Sequence, residues 1–275
     1  MPRDLGDVLH YFIPEAEVDE DRDFAESPPA RAASSGGPRP GVRRPPAALP
    51  LLGVPIGGHD VVRAAFTWNL AVEVARLGGR ATLVAPDEDG GSPLWPAPGP
   101  GPLGAEVVLS PATDLGALHR AALDLAVSRA PEADAGGLVL VRIPPLWLRD
   151  AGEGGGLLRW VLLFSSAERC DLLEAYGITK LLVRANPRAE VGVTVHGARR
   201  IRDAEQAFSK LTGASMRHLG HDLASYGLLV DDLDVYCAIV AQRPIGLSHP
   251  QSPAARALRD VAQMVLDGAR KRAVV

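Results

Sequence analysis

The sequence predicts an α/β fold in which a mostly parallel sheet is flanked by helices on both faces. From residue 51 onward, apolar segments of strand length alternate with longer segments whose apolar residues recur at helical spacing. Strands that alternate with helices are typical of parallel sheets covered by helices. The segment Gly137–Ile143 is apolar at nearly every position, which is typical of a central buried strand.

The first predicted unit is a strand, a glycine turn, a helix and a second strand. Its parts are Leu51–Ile56, Gly57-Gly58, Ala64–Leu77 and Ala81–Ala85, and Gly78-Gly79 ends the helix. A strand followed by a glycine turn that opens a helix forms the phosphate-binding unit of many nucleotide-binding proteins. The rest of the chain is organised around this unit.

The remaining elements continue the alternation. The predicted strands are Ala105–Leu109, Gly137–Ile143, Trp160–Phe164, Val191–Val195 and Leu223–Val230. The predicted helices are Asp114–Arg129, Ser166–Leu182, about Ile201–Leu211, Asp234–Gln242, and a last helix from Ser252-Pro253 to about Gly268. Ligands of such sheets bind beyond the carboxyl ends of the strands, where we expect the functional site.

The N-terminal part of the chain predicts a short helix on a long linker. Residues 1–14 place five apolar residues on one helical stripe, namely Leu5, Val8, Leu9, Phe12 and Ile13. Residues 15–50 are acidic and then rich in proline, alanine and arginine, which predicts a disordered linker. The α/β domain then spans residues 51–269, and a basic tail spans residues 270–275. The stripe could pack on its own domain, dock on a partner protein or lie on a membrane surface.

Composition, charge and residue spacing argue against several classes of function for this chain. The 275 residues carry a formal net charge of −4, which does not favour a nucleic-acid-binding protein. The sequence shows no transmembrane run and no signal-peptide pattern, so we expect a cytoplasmic protein. Cys170 and Cys237 lie in apolar surroundings and are expected in the core. His218 and His221 have metal-ligand spacing, but no third ligand is apparent, so we expect no metal site.

Three segments resemble the MinD/ParA family of P-loop ATPases, most closely its FlhG-like branch. They are NLAVEVARLGGRATLV (residues 69–84), SSAERCDLLEAYGITKLL (residues 165–182) and GLLVDDLDVYCAIVAQRPIGLSHPQSPAARALRDVA (residues 227–262). The last segment carries the branch's "QRP" turn and its P-x-S-x-A-A final helix. Together the three segments cover most of the α/β domain. The resemblance implies a P-loop NTPase fold of the MinD/ParA type.

The resemblance also locates the phosphate loop, and the sequence departs from the family there. The family pattern K-G-G-x-G-K-[ST] falls on residues 58–64. The positions that differ from it are Gly58, His59, Asp60, Val62, Arg63 and Ala64. Arg63 replaces the phosphate-binding lysine, and Ala64 replaces the hydroxyl residue that ligates magnesium. Glycine reaches the backbone conformations of a phosphate nest without strain, whereas β-branched valine resists them.

Other nucleotide-site positions of the family change as well. The paired aspartates fall on Ala85 and Asp87, an acidic strand end falls on Arg142, and the asparagine that contacts adenine falls on His196. We therefore expect no ATP hydrolysis, no tight ATP binding and no bound magnesium. Arg142 is expected to pair with Asp60 or Asp87 in the place of metal and phosphates.

The resemblance implies a role in positioning a cellular assembly. We expect a catalytically degenerate scaffold or regulator that binds a protein partner through residues 1–14, without stable membrane association. The alternative is an atypical ATPase that still uses Arg63 and dimerises with nucleotide. Relatives dimerise around ATP, so without ATP this chain would form a constitutive homodimer or remain a monomer.

Overall fold

Eight strands form one sheet in the computed structural model, which describes residues 48–87 and 94–273. The strands are β1 (Leu51–Pro55), β2 (Arg80–Pro86), β3 (Gly99–Pro100), β4 (Glu106–Ser110), β5 (Gly137–Ile143), β6 (Trp160–Ser166), β7 (Glu190–Ala198) and β8 (Ala224–Val230). Their order is β3-β4-β2-β5-β1-β6-β7-β8. All neighbouring strands are parallel except β3 and β4. The prediction of a mostly parallel α/β sheet is confirmed.

Seven α-helices flank this sheet within the described ranges. They are α1 (Val61–Arg76), α2 (Leu115–Ser128), α3 (Arg169–Ala185), α4 (Ile201–Leu219), α5 (Leu233–Val240), α6 (Ile245–Ser248) and α7 (Pro253–Ala273). Helix α1 packs against α7, and α3 packs against α4. The predicted N-terminal helix of residues 1–14 and nearly all of the predicted linker lie outside the described residues.

Burial explains the central position of β5, β1 and β6. Every residue of β5 and β6 is buried, and so is β1 from Leu52 onward. Strands covered by helices on both faces have no side that contacts water, so they consist of nearly continuous apolar runs. Leu52, Leu70, Leu140 and Val265 belong to one core cluster that joins the sheet to α1 and α7.

The strand order places a site at the carboxyl end of β1. From β1 the chain adds strands toward β4, returns with β5 between β2 and β1, and then continues with β6 on the other side. Ligands of doubly wound sheets bind outside the strand ends where this direction reverses. The strand ends at the reversal are Ile56-Gly57, Arg142-Ile143 and Ser165-Ser166.

The first predicted unit is confirmed, and its helix begins one turn earlier than predicted. Helix α1 starts at Val61 rather than Ala64 because Asp60 caps it: the Asp60 carboxylate accepts a hydrogen bond from the backbone N–H of Arg63 at 2.9 Å. Gly78 follows the helix at a φ of +88°, a left-handed conformation that favours glycine.

Several predicted boundaries were wrong further along the chain. Strand β3 is not among the strands that the sequence predicted. Helix α4 ends at Leu219 rather than Leu211, because Ala214 and Ser215 continue its buried face. Helix α7 ends at Ala273 rather than Gly268, so part of the predicted basic tail is helical; Arg272 pairs there with Glu190. Helix α7 begins at Pro253 as predicted, and Ser252 caps it, since the Ser252 hydroxyl accepts a hydrogen bond from the N–H of Ala255 at 3.1 Å.

The prediction that the two cysteines lie in the core was wrong. Cys170 and Cys237 are both exposed. Each lies on a helix whose other side contacts the core: Leu172 is buried on α3, and Val235 is buried on α5. Only one side of a surface helix faces the core, so an apolar neighbourhood in sequence does not bury every residue of the helix.

Candidate functional site

The candidate site lies where α1 begins beyond the carboxyl end of β1. Asp60 makes two contacts with Arg63 there. One carboxylate oxygen accepts the backbone N–H of Arg63 at 2.9 Å, and the other lies 3.2 Å from the guanidinium Nε. A helix N-terminus attracts negative charge because its first N–H groups have no partner within the helix. At this helix an aspartate of the same chain supplies that charge.

Arg63 is a buried cation that is shared by three carboxylates. Its side chain is 7% exposed. Besides Asp60, its guanidinium contacts Glu174 at 2.8 Å and Asp171 at 3.6 Å. Both of these residues lie on α3, which begins beyond the carboxyl end of β6. The three carboxylates are each partly exposed, so the cluster spans the boundary between the core and solvent.

The pKa values in this cluster follow its contacts. Burial alone would lower the pKa of Arg63, but the hydrogen bond with Glu174 and the charges of the three carboxylates raise it above its ordinary value. Burial would likewise raise the pKa of Asp171, but a hydrogen bond with Ser166 and the charge of Arg63 lower it overall. Both groups are therefore charged at neutral pH.

His196 lies at the same end of the sheet as an uncharged ring. Burial, followed by the charge of Arg63, lowers its pKa to about 4. Its ring centroid lies 5.3 Å from that of Phe66, and its buried Nε2 has no hydrogen-bond partner among the residues that the structure describes. Phe66 also stacks against Phe164 at 5.9 Å. The site beside His196 is therefore lined by the aromatic, apolar side chains of Phe66 and Phe164.

The contact with Asp60 that we expected of Arg142 is made by Arg63 instead. Asp60 contacts Arg63, whereas the guanidinium of Arg142 lies over the ring of Trp95, at 4.1 Å from the ring centroid. Arg142 is only 5% exposed. A desolvated arginine on the face of an indole gains cation–π stabilisation. Trp95 lies in the segment after β2, so this contact connects that segment to the end of β5.

The other predicted site positions have local structural roles. Gly58 is half-buried in the turn after β1, and His59 is exposed there. Val62 packs against the core, and Ala64 is 1% exposed. Asp87 is exposed after β2, and its backbone N–H donates a hydrogen bond to Ser110.

A cavity of about 190 Å³ lies outside the Arg63 cluster, between α1, residues 94–102 and residues 238–244. Its lining includes Trp68, Trp95 and Arg243. The nine predicted nucleotide-site positions all belong to the described residues, and none of them lines this cavity. The cavity and the Arg63 cluster are therefore separate features.

Comparison with known proteins gives matches among solved structures. No protein-family model matches the sequence, and no curated protein matches it. The structure is similar to MinD cell division protein from Aquifex aeolicus, with a TM-score of 0.54, 16% sequence identity, and coverage of 78% of this chain and 96% of that chain. It is similar to MinD in the MinC:MinD complex of the same organism (TM-score 0.59, identity 11%, coverage 79% and 96%). It is also similar to the cell division ATPase MinD from Pyrococcus furiosus (TM-score 0.54, identity 15%, coverage 80% and 99%).

The chain has the MinD/ParA-type P-loop NTPase fold. The sequence predicted Asp60, Arg63 and His196 as site positions, but it did not point to Asp171 and Glu174, which contact Arg63 in the structure. Their three-residue spacing on a helix that begins at a strand's carboxyl end was a usable signal, because such residues share one helix face.

Two further properties bear on ligands and location. Within residues 48–87 and 94–273, no group of three or more histidine, cysteine, aspartate and glutamate residues is arranged to hold a metal ion. In the same ranges, no helix combines the length and the apolar character needed to cross a membrane.

Proposed function

We propose that this protein is a catalytically degenerate MinD/ParA-like protein of the FlhG-like branch that acts as a scaffold or regulator in positioning a cellular assembly. The observation that carries the proposal is the pairing of Arg63, which stands at the position of the family's phosphate-binding lysine. Its charge is already satisfied by Asp60, Asp171 and Glu174. The fold is then used for its surfaces rather than for nucleotide chemistry.

The charge balance of the cluster opposes a polyphosphate. One positive and three negative side chains give a formal net charge of −2. Two like charges 4 Å apart repel by about 4 kcal/mol at the effective dielectric constant of a protein surface. The triphosphate of ATP would therefore meet repulsion from the carboxylates, while the single cation is already engaged.

The backbone hydrogen bonds of the site also support the proposed loss of ATP binding. In a phosphate-binding loop, the N–H groups at the start of the helix donate to phosphate oxygens. Here Asp60 accepts the N–H of Arg63, so a carboxylate already lies where a phosphate would bind. Ala64 has no hydroxyl for magnesium, and Arg142 brings positive charge to the end of β5. These residues do not fit ATP and magnesium.

A titration of fluorescent ATP with magnesium tests this part of the proposal. We expect no saturable binding at micromolar concentrations, and no change in Arg63→Ala. Arg120→Ala is the matched control, because Arg120 pairs with a single carboxylate, that of Glu153, at 3.0 Å. Micromolar binding by the wild type that is lost only in Arg63→Ala would contradict the proposal and favour the atypical ATPase.

A variant that is expected to gain anion binding tests whether the carboxylates of the cluster repel a polyphosphate. Replacing the three carboxylates with amides (Asp60→Asn, Asp171→Asn and Glu174→Gln) preserves shape and leaves the positive charge of Arg63 uncompensated. We expect this variant to bind inorganic pyrophosphate more tightly than the wild type by at least tenfold. Equal affinities would show that the charges of the three carboxylates do not prevent anions from binding at the site.

A protein partner is the second part of the proposal. One of the similar structures is MinD in a complex with MinC, which shows that a protein of this fold can bind another protein. We assign the partner contact of this chain to the apolar stripe of residues 1–14, which lies outside the described residues. A helix on a long tether is suited to docking into a groove of another protein.

A pull-down with the full chain and with residues 1–14 deleted tests this assignment. Leu9→Ser with Phe12→Ser should release the same partner as the deletion, whereas Asp4→Ser with Asp7→Ser should retain it because those positions lie off the apolar stripe. Partners that remain bound after the deletion would refute a docking role for the segment.

A further inference from the structure

The cavity between α1, residues 94–102 and residues 238–244 has the size of a small ligand. Its volume is about 190 Å³. A cavity of about 150 Å³ is enough to hold one benzene molecule, whereas pockets for drug-sized ligands begin at about 300 Å³. A ligand of one or two aromatic rings therefore fits. Two tryptophans, Trp68 and Trp95, line this space, and we refer to it as the Trp cavity.

Contacts among the walls fix the shape of the Trp cavity. The side-chain oxygen of Asn69 on α1 accepts a hydrogen bond from the backbone N–H of Ile245 at 2.6 Å, which joins α1 to the start of α6. Gly101 lies so close to Trp68 that an added Cβ would be 2.4 Å from the ring. The walls are thus built from packed elements, and a ligand that binds to packed walls loses little free energy in ordering them.

The lining favours a flat, apolar ligand. Trp68 and Trp95 are half-buried and pack against the core. Arg142 covers one face of the Trp95 ring but does not itself line the cavity. Prolines form a further part of the lining, namely Pro96, Pro100, Pro102 and Pro244. Indole rings bind other aromatic rings by stacked or edge-to-face contacts, so an aromatic ring is the ligand group that this surface fits.

Trp95 also brings a hydrogen-bond donor to the lining. Its Nε1 is buried and has no hydrogen-bond partner among the residues that the structure describes. Buried donors in folded proteins nearly always have a partner, because a donor that is removed from water without one is unfavourable. An indole nitrogen can only donate, so a ligand would pair with it through an acceptor such as a carboxylate oxygen.

Arg243 adds a positive charge to the same lining. It is exposed, and it forms no ion pair with the residues in the described ranges. The end of α5 fixes the backbone of Arg243. There Gln242 takes a left-handed φ of +50°, and the N–H of Arg243 donates to the carbonyl oxygen of Ala238 at 3.0 Å. A guanidinium binds a carboxylate through two parallel hydrogen bonds, so Arg243 favours an anionic ligand.

We propose that the Trp cavity binds a small aromatic carboxylate of one or two rings. The ring lies against Trp68 and Trp95, and the carboxylate pairs with Arg243 and accepts the Nε1–H of Trp95. This ligand site goes beyond the proposed scaffold role. It also does not depend on the proposed loss of ATP binding, because neither Arg63 nor the carboxylates that contact it line the cavity.

Calorimetric titration of the full chain with 2-naphthoate tests the ligand class. One ligand should bind per chain with a dissociation constant below about 1 mM, which is an ordinary affinity for a molecule of this size. 2-Naphthamide has the same rings without the charge, and decahydro-2-naphthoate has the charge without the aromatic rings. Each should bind about tenfold more weakly. No saturable binding of 2-naphthoate, or equal affinities for the three compounds, would overturn the proposal.

Arg243→Gln tests the partner of the carboxylate. This exposed substitution should weaken 2-naphthoate binding about tenfold. It should leave the affinity for 2-naphthamide nearly unchanged, because the amide carries no charge for Arg243 to pair with. Arg217→Gln, at an exposed position of α4, is the matched control and should bind 2-naphthoate as the wild type does. Equal affinities of the two variants for 2-naphthoate would exclude Arg243 from the site.

Two tryptophan variants test the aromatic lining. Trp95→Phe keeps a ring but removes the N–H, and Trp68→Leu removes one of the two indole rings. Each should weaken 2-naphthoate binding about fivefold to tenfold. Trp147→Phe, which lies outside the lining, should leave the affinity unchanged. Melting temperatures show that each variant is folded, and an unchanged affinity in a folded Trp95→Phe or Trp68→Leu variant would contradict the assigned site.

Discussion

The two ends of α1 bury opposite charges in different ways. Near its start, Arg63 is a buried cation with three partly exposed carboxylates around it. Near its end, Glu73 is a buried anion, 1% exposed, with two arginines around it. The same helix therefore carries one cluster with excess negative charge and one with excess positive charge.

The Glu73 cluster connects helices within the core. Its carboxylate lies 3.4 Å from Arg76 on α1 and 3.6 Å from Arg259 on α7. Arg76 also donates a hydrogen bond to the carbonyl oxygen of Gly246 on α6, at 2.8 Å. These contacts join three helices, and the anion has almost no access to solvent. A purely structural role accounts for all of them.

The two clusters differ in how far solvent reaches their charged groups, and not only in their net charge. The carboxylates around Arg63 are 28% to 45% exposed and stand at the end of the sheet where ligands of this fold class bind. Solvent reaches the carboxylates there, and an incoming anion would meet them first. The comparison shows how a buried charge in one cluster joins helices, while in the other it pairs with carboxylates that solvent reaches at the end of the sheet.

Removing Glu73 should have the largest effect on stability. Glu73→Ala leaves two arginines beside a buried cavity, and breaking one side of a buried ion pair costs about 3 to 5 kcal/mol. Urea denaturation at pH 7 measures the loss. Glu205→Ala, at an exposed position of α4, is the control and should change the free energy of unfolding by less than about 0.5 kcal/mol. A loss below about 1 kcal/mol for Glu73→Ala would contradict the structural role.

Protonation of His196 should produce the next largest effect. Its pKa of about 4 in the folded state lies below the ordinary 6.5, so the unfolded chain binds the proton more tightly. Stability is then full above pH 6.5 and falls as the pH decreases toward 4, by at most about 3 kcal/mol. His196→Gln should remove this loss, whereas His59→Gln, at an exposed position, should retain it. Denaturation curves at pH 7, 5.5 and 4 decide between these outcomes.

A methyl group at Gly246 tests the packing of the Glu73 cluster. A Cβ at this position would lie 1.6 Å from a carboxylate oxygen of Glu73, so the carboxylate must move away from Arg76. We expect Gly246→Ala to lower the melting temperature and to cost about 1 to 3 kcal/mol. Gly177→Ala on α3 meets no atom within 4 Å and should be neutral or stabilising. Equal effects of the two substitutions would argue against tight packing around Glu73.

Asp171 should give the smallest effect, because solvent screens its charge. Its lowered pKa means that it stabilises the fold above about pH 4 and that this contribution is lost as the pH falls further. Asp171→Asn should cost about 1 kcal/mol or less at pH 7. The difference from wild type should shrink between pH 5 and pH 3. Asp124→Asn, an exposed substitution on α2, is the control and should change the free energy of unfolding at pH 7 by less than about 0.5 kcal/mol.

Local signals predicted the elements that lead to the site. Leu51–Ile56, the glycine turn and the spacing in α1 gave the first unit, and α2 begins next to Asp114, where the sequence predicted the start of a helix. The signals failed where burial by distant elements decided the outcome. Residues beyond Leu211 continue α4 because its inner face packs against the sheet, which a polar local sequence does not reveal.

The sequence by itself determined the alternation of strands and helices, and it placed Arg63 at the start of α1. Periodicity and capping depend on residues a few positions apart, so they can be recognised without a structure. Only the tertiary structure decided that Arg63 pairs with Asp171 and Glu174 and that Arg142 lies on Trp95. Glu174 is 111 residues from Arg63 along the chain. The order of strands in the sheet brings their helices together, and no local pattern specifies that pairing.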